Sequence, residues 1–112
     1  MSHNRRLGAA GEERAAQWYR DQGCRVLVQN WRCRAGELDL IIADGRVVVF
    51  CEVKTRSSDR FGSALEAVTP VKQQRIRRLA AEWLAGHPHR GPIRFDVAAV
   101  TPQGIQVMTH AF

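Results

Sequence analysis

Three carboxylates and a lysine, Glu37, Asp39, Glu52 and Lys54, stand at alternating positions in two mostly apolar runs on either side of Asp44-Gly45. Gathered on one surface, such groups would bind a divalent metal or pair among themselves. The elements that must position them are two strands. Leu38 to Ala43 and Val47 to Cys51 flank Asp44-Gly45, and Asp-Gly between β-branched runs marks a two-residue hairpin loop. With Asp44 and Gly45 as the loop, Ala43 is expected opposite Arg46, Ile42 opposite Val47, Asp39 opposite Phe50 and Glu37 opposite Glu52. Side chains alternate along a strand, so all four chemical groups emerge on one face at the end away from the turn. Directly opposed like charges destabilise a strand pair. Glu37 against Glu52, with Asp39 on the diagonal, therefore calls for a compensating cation, either a divalent metal or Lys54.

Charges on strands commonly form only a solvated rim. Here Val47, Val48, Val49, Phe50 and Cys51 are apolar at successive positions, the mark of a strand covered on both faces. Charged groups at its end lie near a low-dielectric interior, where they persist when paired or metal-bound. That context favours chemistry over a rim.

The 112 residues allow one domain, large enough to bury roughly two thirds of its unfolded surface. Three cysteines, Cys24, Cys33 and Cys51, offer neither an even count nor Cys-x-x-Cys spacing, which points to free thiols and the cytoplasm. No apolar run approaches the roughly eighteen residues of a membrane span, and the N-terminus has no apolar core after its arginines. The chain is expected to be neither secreted nor membrane-spanning. Seventeen Lys and Arg against eleven Asp and Glu give a net charge of +6 and a pI of about 10.2, a sign that attracts nucleic acid or anionic lipid.

Asn4 to Gln22 is rich in Ala, Arg, Glu and Gln and predicts a helix ending at Gly23, with Leu7, Gly11, Ala15 and Trp18 in one stripe and Tyr19 beside it. Glu12 shares the face of Ala16 and Tyr19, although spacing alone also allows a solvated helix carboxylate like Glu13. Gly8 and Gly11 would allow a close approach to the sheet. Cys24 to Val28 predicts a first strand, leading into Asn30-Trp31-Arg32-Cys33-Arg34, where Trp31 either packs or stacks on a base. Ser57 to Gly62 reads as a loop beside the site. Thr69-Pro70 opens a second helix whose apolar face is Ile76, Leu79, Ala80, Trp83 and Leu84, ending at Gly86. Its other side carries Lys72, Arg75, Arg77 and Arg78, a solubilising face or a phosphate-binding one. Strands are expected at Ile93 to Val100 and Ile105 to Thr109. Asp96 within the first of these needs a structural partner, and the four histidines lack the neighbours of a metal site.

This order of elements, with Glu37, Asp39, Glu52 and Lys54 where they stand, resembles the PD-(D/E)xK nuclease superfamily. More narrowly it resembles the YraN family of small bacterial proteins, relatives of the archaeal Holliday junction resolvases. The resemblance runs from about Gly8 to Val100 and rests on Gly11-Glu12, Asn30-x-Arg32, Gly36-Glu37-Leu38-Asp39-Leu40-Ile41, Phe50-Cys51-Glu52-Val53-Lys54-Thr55-Arg56, Phe61-Gly62, Lys72 and Phe95-Asp96. It departs from the superfamily name in having Gly36-Glu37-Leu38-Asp39 where the Pro-Asp would stand, which is the narrower family's own form.

The resemblance implies an α/β, restriction-endonuclease-like fold, a central mixed sheet flanked by helices with an αβββαβ core. It implies a DNA endonuclease for branched or damaged structures that uses Mg2+ or Mn2+. Asp39 and Glu52 would be metal ligands with Glu12 as the helix carboxylate, Lys54 would position or activate the attacking water, and Glu37 would join the catalytic group. Arg32, Arg34, Arg56, Lys72, Arg75, Arg77 and Arg78 are the candidate nucleic-acid contacts. Junction-cutting relatives are dimers because a four-way junction offers two symmetric strands, so the resemblance allows a homodimer. The alternative is a DNA-binding or assembly module without turnover. A basic adaptor for anionic membranes is less well supported, since no basic amphipathic helix is free of core duty.

Overall fold

The apolar run Val47 to Cys51 forms the middle strand of a five-stranded sheet. The structure, a computed structural model, describes residues 3–57 and 65–112, with side chains from Leu7 onward. Its elements are α1 (His3–Asp21), β1 (Arg25–Cys33), β2 (Gly36–Asp44), β3 (Val47–Thr55), α2 (Pro70–Gly86), β4 (Ile93–Thr101) and β5 (Gly104–Met108). The strands lie in the order β1-β2-β3-β4-β5. β1, β2 and β3 are an antiparallel meander, β4 joins β3 in parallel, and β5 returns antiparallel on β4. Parallel neighbours need a long crossover, and α2 lies within it.

Each helix covers one face. Ala15, Ala16 and Tyr19 of α1 pack with Leu40, Ile42, Val49, Cys51, Val53, Ala98 and Val100. Ile76, Leu79, Ala80 and Trp83 of α2 pack with Ile41, Val48, Phe50, Phe95 and Val97. The expected α/β architecture, a mixed sheet flanked by helices and consistent with a restriction-endonuclease-like core, is the observed one, with β5 following the αβββαβ core. Trp31 packs against the α2-side core. α2 starts as its sequence dictates: Thr69 Oγ1 accepts the Lys72 N–H at 3.3 Å, and Pro70 occupies the first turn, where an N–H has no helical partner.

The hairpin differs from expectation by two residues. Asp44 pairs with Val47, Ala43 with Val48, Ile42 with Val49 and Leu40 with Cys51, so the loop is Gly45-Arg46 rather than Asp44-Gly45. Gly45 takes φ +58 at the first loop position, the place where one class of hairpin turn demands glycine. Asp44 is held in the strand by Arg94, whose Nη1 donates to its Oδ2 at 3.1 Å. A two-residue slip preserves which face each side chain takes but changes its neighbour. Glu37 therefore does not face Glu52, and Asp39 does not face Phe50.

β1 also runs past its expected end. It continues to Cys33 through the pairs Trp31 with Leu38, Arg32 with Glu37 and Cys33 with Gly36. Two irregularities hid it from the sequence: a bulge between Val26 and Val28, and Asn30 at φ 54. They interrupt the period-two pattern by which a strand is recognised. The loop expected at Ser57 to Gly62 lies, after Ser57, outside the described residues. Among the described residues no helix is long and apolar enough to cross a membrane.

Candidate active site

β2 stops pairing with β3 after Leu40, and the site is built where the two part. Leu40 packs in the α1-side core but Leu38 in the α2-side core, so strict alternation breaks at Asp39 between them. Asp39 Oδ2 accepts the Val53 N–H at 2.8 Å, a side chain standing in for the strand carbonyl as acceptor. On β3, Glu52 and Lys54 continue the row of Val48 and Phe50 that faces α2. Lys54 Nζ lies 3.3 Å from Glu52 Oε1, each side chain only 17% exposed. At the rim, Arg32 Nε donates to Glu37 Oε2 at 3.0 Å.

Glu12 arrives from the other layer. α1 approaches β3 so closely at Gly11 that a Cβ there would collide with the Thr55 hydroxyl, which is why glycine stands beside Glu12. Gly8, by contrast, has open space around it. Two turns along, the Tyr19 hydroxyl donates to Asp96 at 2.6 Å and anchors the same helix face. The consequence is a convergence of carboxylates: one oxygen each from Glu12, Glu37 and Asp39 lies within 4.8 Å of the other two. Glu52 stands outside that trio, engaged by Lys54.

The electrostatics follow from crowding. Burial and then the Glu52 charge push Asp39 up to about 8, the Val53 N–H opposes them, and Glu12 and Glu37 add to the rise. Burial also raises Glu12; an Asn30 side-chain hydrogen bond pulls it back, Glu37 and Glu52 push it up, and Arg32 lowers it. Like carboxylates this close are relieved by a proton or by a cation. The donors are all carboxylate oxygens, the hard ligand type suited to Mg2+ or Mn2+ rather than to soft-ligand metals. Glu12, Glu37 and Asp39 thus fit such an ion, and Glu52 lies near enough to act on Asp39.

Opposite the acids, α2 supplies cations. Lys72 and Arg75 line a cleft of about 290 Å³ together with Glu37, Asp39, Glu52 and Lys54. The Lys54 ammonium beside it lowers Lys72 from its usual value. Arg75 and Arg78 line the adjoining cleft with Ala35, and Arg32 and Arg34 line a shallow one around the β1–β2 turn. Two of the expected cations lie elsewhere. Arg77 sits over the rings of Phe95 and Phe112, 4.8 and 5.4 Å from their centroids. Arg56 lines an apolar cleft with Leu7, Arg14 and Pro102 and donates to the Thr55 carbonyl.

The sequence reading named Glu12, Glu37, Asp39, Glu52 and Lys54, with Glu12, Asp39 and Glu52 as metal ligands; the carboxylates whose oxygens converge are instead Glu12, Glu37 and Asp39, while Glu52 pairs with Lys54. The same reading quoted Asn30 within Asn30-x-Arg32 but gave it no role; Asn30 hydrogen-bonds Glu12 from a left-handed backbone. Asparagine tolerates that conformation better than most residues, and a polar residue next to Trp31 in an edge strand was the available signal. Asp96 has the structural partners expected of it, and Cys24, Cys33 and Cys51 are free thiols.

Similarity to known proteins spans the residues that build the cleft. The chain is 57% identical over 95 residues to a UPF0102 protein of Mycolicibacterium vanbaalenii, covering 84% of this chain and 78% of that one. It is 57% identical over 96 residues to one of Frankia casuarinae, covering 85% and 81%. A UPF0102 protein of Nocardia farcinica shares 53% over 109 residues, covering 93% and 84%. The model of the family described as "Uncharacterised protein family UPF0102" matches residues 11–100, from the glycine beside Glu12 almost to the end of β4, and the chain belongs to that family.

Proposed function

We propose that this protein is a metal-dependent endonuclease that hydrolyses phosphodiester bonds in DNA, a member of the PD-(D/E)xK superfamily acting on branched or damaged structures. The observation that carries the reading is the facing of strand carboxylates and a cationic wall on α2 across one cleft. Glu37, Asp39 and Glu52 line it beside Lys54; Lys72 and Arg75 of α2 line it with them, and Glu12 brings an oxygen to Glu37 and Asp39 from α1. A phosphodiester is an anion that must be brought to carboxylates, so it needs such a cationic wall.

Glu12, Glu37 and Asp39 would hold Mg2+ or Mn2+, with Glu52 as the further carboxylate that the superfamily resemblance assigns. A bound divalent ion supplies Lewis acidity and an acidified water at that position. The protein's own groups do the rest. Lys72 and Arg75 bind the phosphate and fix its approach. Lys54, largely shielded from solvent, offers a preorganised donor to the charge that grows on the phosphorane. Glu52 holds the Lys54 ammonium in place before the substrate arrives.

One observation favours a second reading, a DNA-binding or assembly module without turnover: Lys54 is already paired with Glu52. The deciding experiment incubates the protein with linear, flapped and four-way DNA, and with RNA, in Mg2+ or Mn2+. Cleavage that vanishes in both Asp39→Asn and Glu52→Gln supports the nuclease. DNA binding without cleavage on every substrate supports the module. A four-way junction presents two equivalent strands, so the junction form of the reading also requires two copies on one DNA, measurable by sedimentation of the complex.

A further inference from the structure

β1 reaches two of the three clustered carboxylates, and it does so with different chemistry at each. Asn30 meets Glu12, which is half-buried, with a neutral amide. Arg32 meets Glu37 with a charge, through Nε at 3.0 Å, out where its own side chain is 75% exposed and that of Glu37 37%. A neutral amide can stay beside Glu12 whatever the charge in the cluster. A guanidinium cannot be indifferent, because it competes for Glu37 with any other cation. Exposed pairs of this kind hold weakly and are screened by salt, so the Arg32 contact is exchangeable. Arg32 also lines the open cleft around the β1–β2 turn with Arg34, on the approach to the acids.

We propose that Arg32 is an exchangeable counter-ion that couples nucleic acid to the metal: it neutralises Glu37 until a phosphate draws it away, which frees Glu37 for the divalent ion. This rests on the nuclease reading of the site and adds to it an order of assembly. The balance is one of charge alone. Arg32 passes from a carboxylate to a phosphate, and Glu37 passes from a guanidinium to the metal. Planar guanidinium groups match phosphate as well as carboxylate, which makes the two partners true competitors. Coupling of this kind is reciprocal, so the metal strengthens nucleic-acid binding by the same factor as nucleic acid strengthens metal binding.

The test measures Mn2+ affinity from the electron paramagnetic resonance of the free ion, on the parent, Arg32→Gln and Arg34→Gln, each with and without a short DNA duplex whose integrity is checked on a gel. Arg34 lines the same cleft, carries the same charge and is itself a candidate phosphate contact, so with the duplex at saturating concentration its replacement reports the loss of one cation that is not the partner of Glu37. The expected result is that the duplex tightens Mn2+ binding to the parent and to Arg34→Gln about 5-fold or more, within the usual range of coupling between sites. Arg32→Gln should bind Mn2+ more tightly than the parent without DNA, and the duplex should add little. Parent-like coupling in Arg32→Gln would overturn the role of Arg32 while leaving the metal site standing. Loss of coupling in Arg34→Gln to the same degree would also overturn it, because any nearby cation would then suffice. No Mn2+ binding by the parent, with or without DNA, would remove the site itself and this inference with it.

Discussion

Asp39 and Asp96 are both aspartates in strands of one sheet, and the protein treats them in opposite ways. Asp96 is fully buried and accepts from Tyr19 Oη at 2.6 Å, from Arg94 Nε at 2.9 Å and Nη2 at 3.0 Å, and from the His110 N–H at 3.2 Å. Arg94 reaches on to Asp44, and its bonds to Asp96 raise its affinity for its proton. Asp39 is half-buried and accepts, among the described residues, from the Val53 N–H, with three other carboxylates acting on it. A buried charge whose bonds are complete joins elements together: Asp96 ties α1, β4 and the segment after β5. A carboxylate crowded by its own kind is held in an unfavourable state by the rest of the fold, which a proton or a cation would relieve and which the proposed metal site uses.

The largest effect should come from damaging the satisfied region. Asp96→Ala leaves the half-buried Arg94 with Asp44 alone and the Tyr19 hydroxyl without its acceptor, and breaking one side of a pair whose carboxylate is fully buried costs up to about 3–5 kcal/mol. Urea unfolding should show that loss, whereas Asp39→Ala should cost far less or stabilise the metal-free protein. If Asp39→Ala is as damaging as Asp96→Ala, the contrast between the two regions fails. Next in size is catalysis. Lys54→Ala should fold and bind DNA nearly as the parent does, yet cleave on the order of 100-fold more slowly in single turnover, since its ammonium acts on transition-state charge. Equal rates in the two proteins would place the chemistry elsewhere.

Acidity gives the third expectation. Asp39 is raised from 3.8 to about 8, so the folded chain keeps a proton that the unfolded chain releases. The stability this supplies is complete below the unfolded value, declines as pH rises toward 8, and is gone above it. Glu12 shifts in the same direction. The melting temperature of the metal-free parent should therefore carry a downward component between roughly pH 4 and 8 that Asp39→Asn lacks. Millimolar Mn2+ should raise the melting temperature most at the upper end of that window, because the ion and the proton compete for the same oxygens. A metal response that is the same at pH 5 and pH 8, or unchanged by Asp39→Asn, would contradict the crowded-acid picture.

The membership of the site was legible in the sequence, because parity along a strand survives a two-residue slip: Asp39, Glu52 and Lys54 keep one face in either register. Who stands beside whom was not. The turn falls on Gly45-Arg46 because Asp44 is claimed by Arg94, fifty residues away and outside any local pattern. Spacing put Glu12 on the face of Ala16 and Tyr19 without excluding a solvated carboxylate, and only the resemblance aimed it at the site; its meeting with Glu37 depends on the break in alternation at Asp39, which no periodicity announces. Arg77 is the opposite case. Residues three apart share a helix face, so Lys72, Arg75 and Arg78 belong together and Arg77 does not; the spacing already separated it. Grouping it with them by charge alone was what the structure corrected.

The smallest expected effect isolates that correction and extends the comparison between a cation that is placed for a ligand and one that serves the fold. Arg75 lines the cleft with the acids, whereas Arg77 lies on Phe95 and Phe112. Arg75→Gln and Arg77→Gln each remove one unit from the same net charge of +6, so any effect of the overall field is equal in both. A direct phosphate contact adds something further, because losing it reduces the dependence of log affinity on log salt by about one unit for duplex DNA. Arg75→Gln should show that reduction. Arg77→Gln should keep the parent slope and instead lose about 0.5–1 kcal/mol of stability, the value of an exposed cation over an aromatic face. The measurement is a salt titration of DNA binding on both variants, with urea unfolding alongside. Equal slopes would mean that the α2 wall binds only through a diffuse field and that the phosphate path runs elsewhere. A reduced slope in Arg77→Gln alone would move that path to the Phe95 and Phe112 side of the helix and away from the carboxylates.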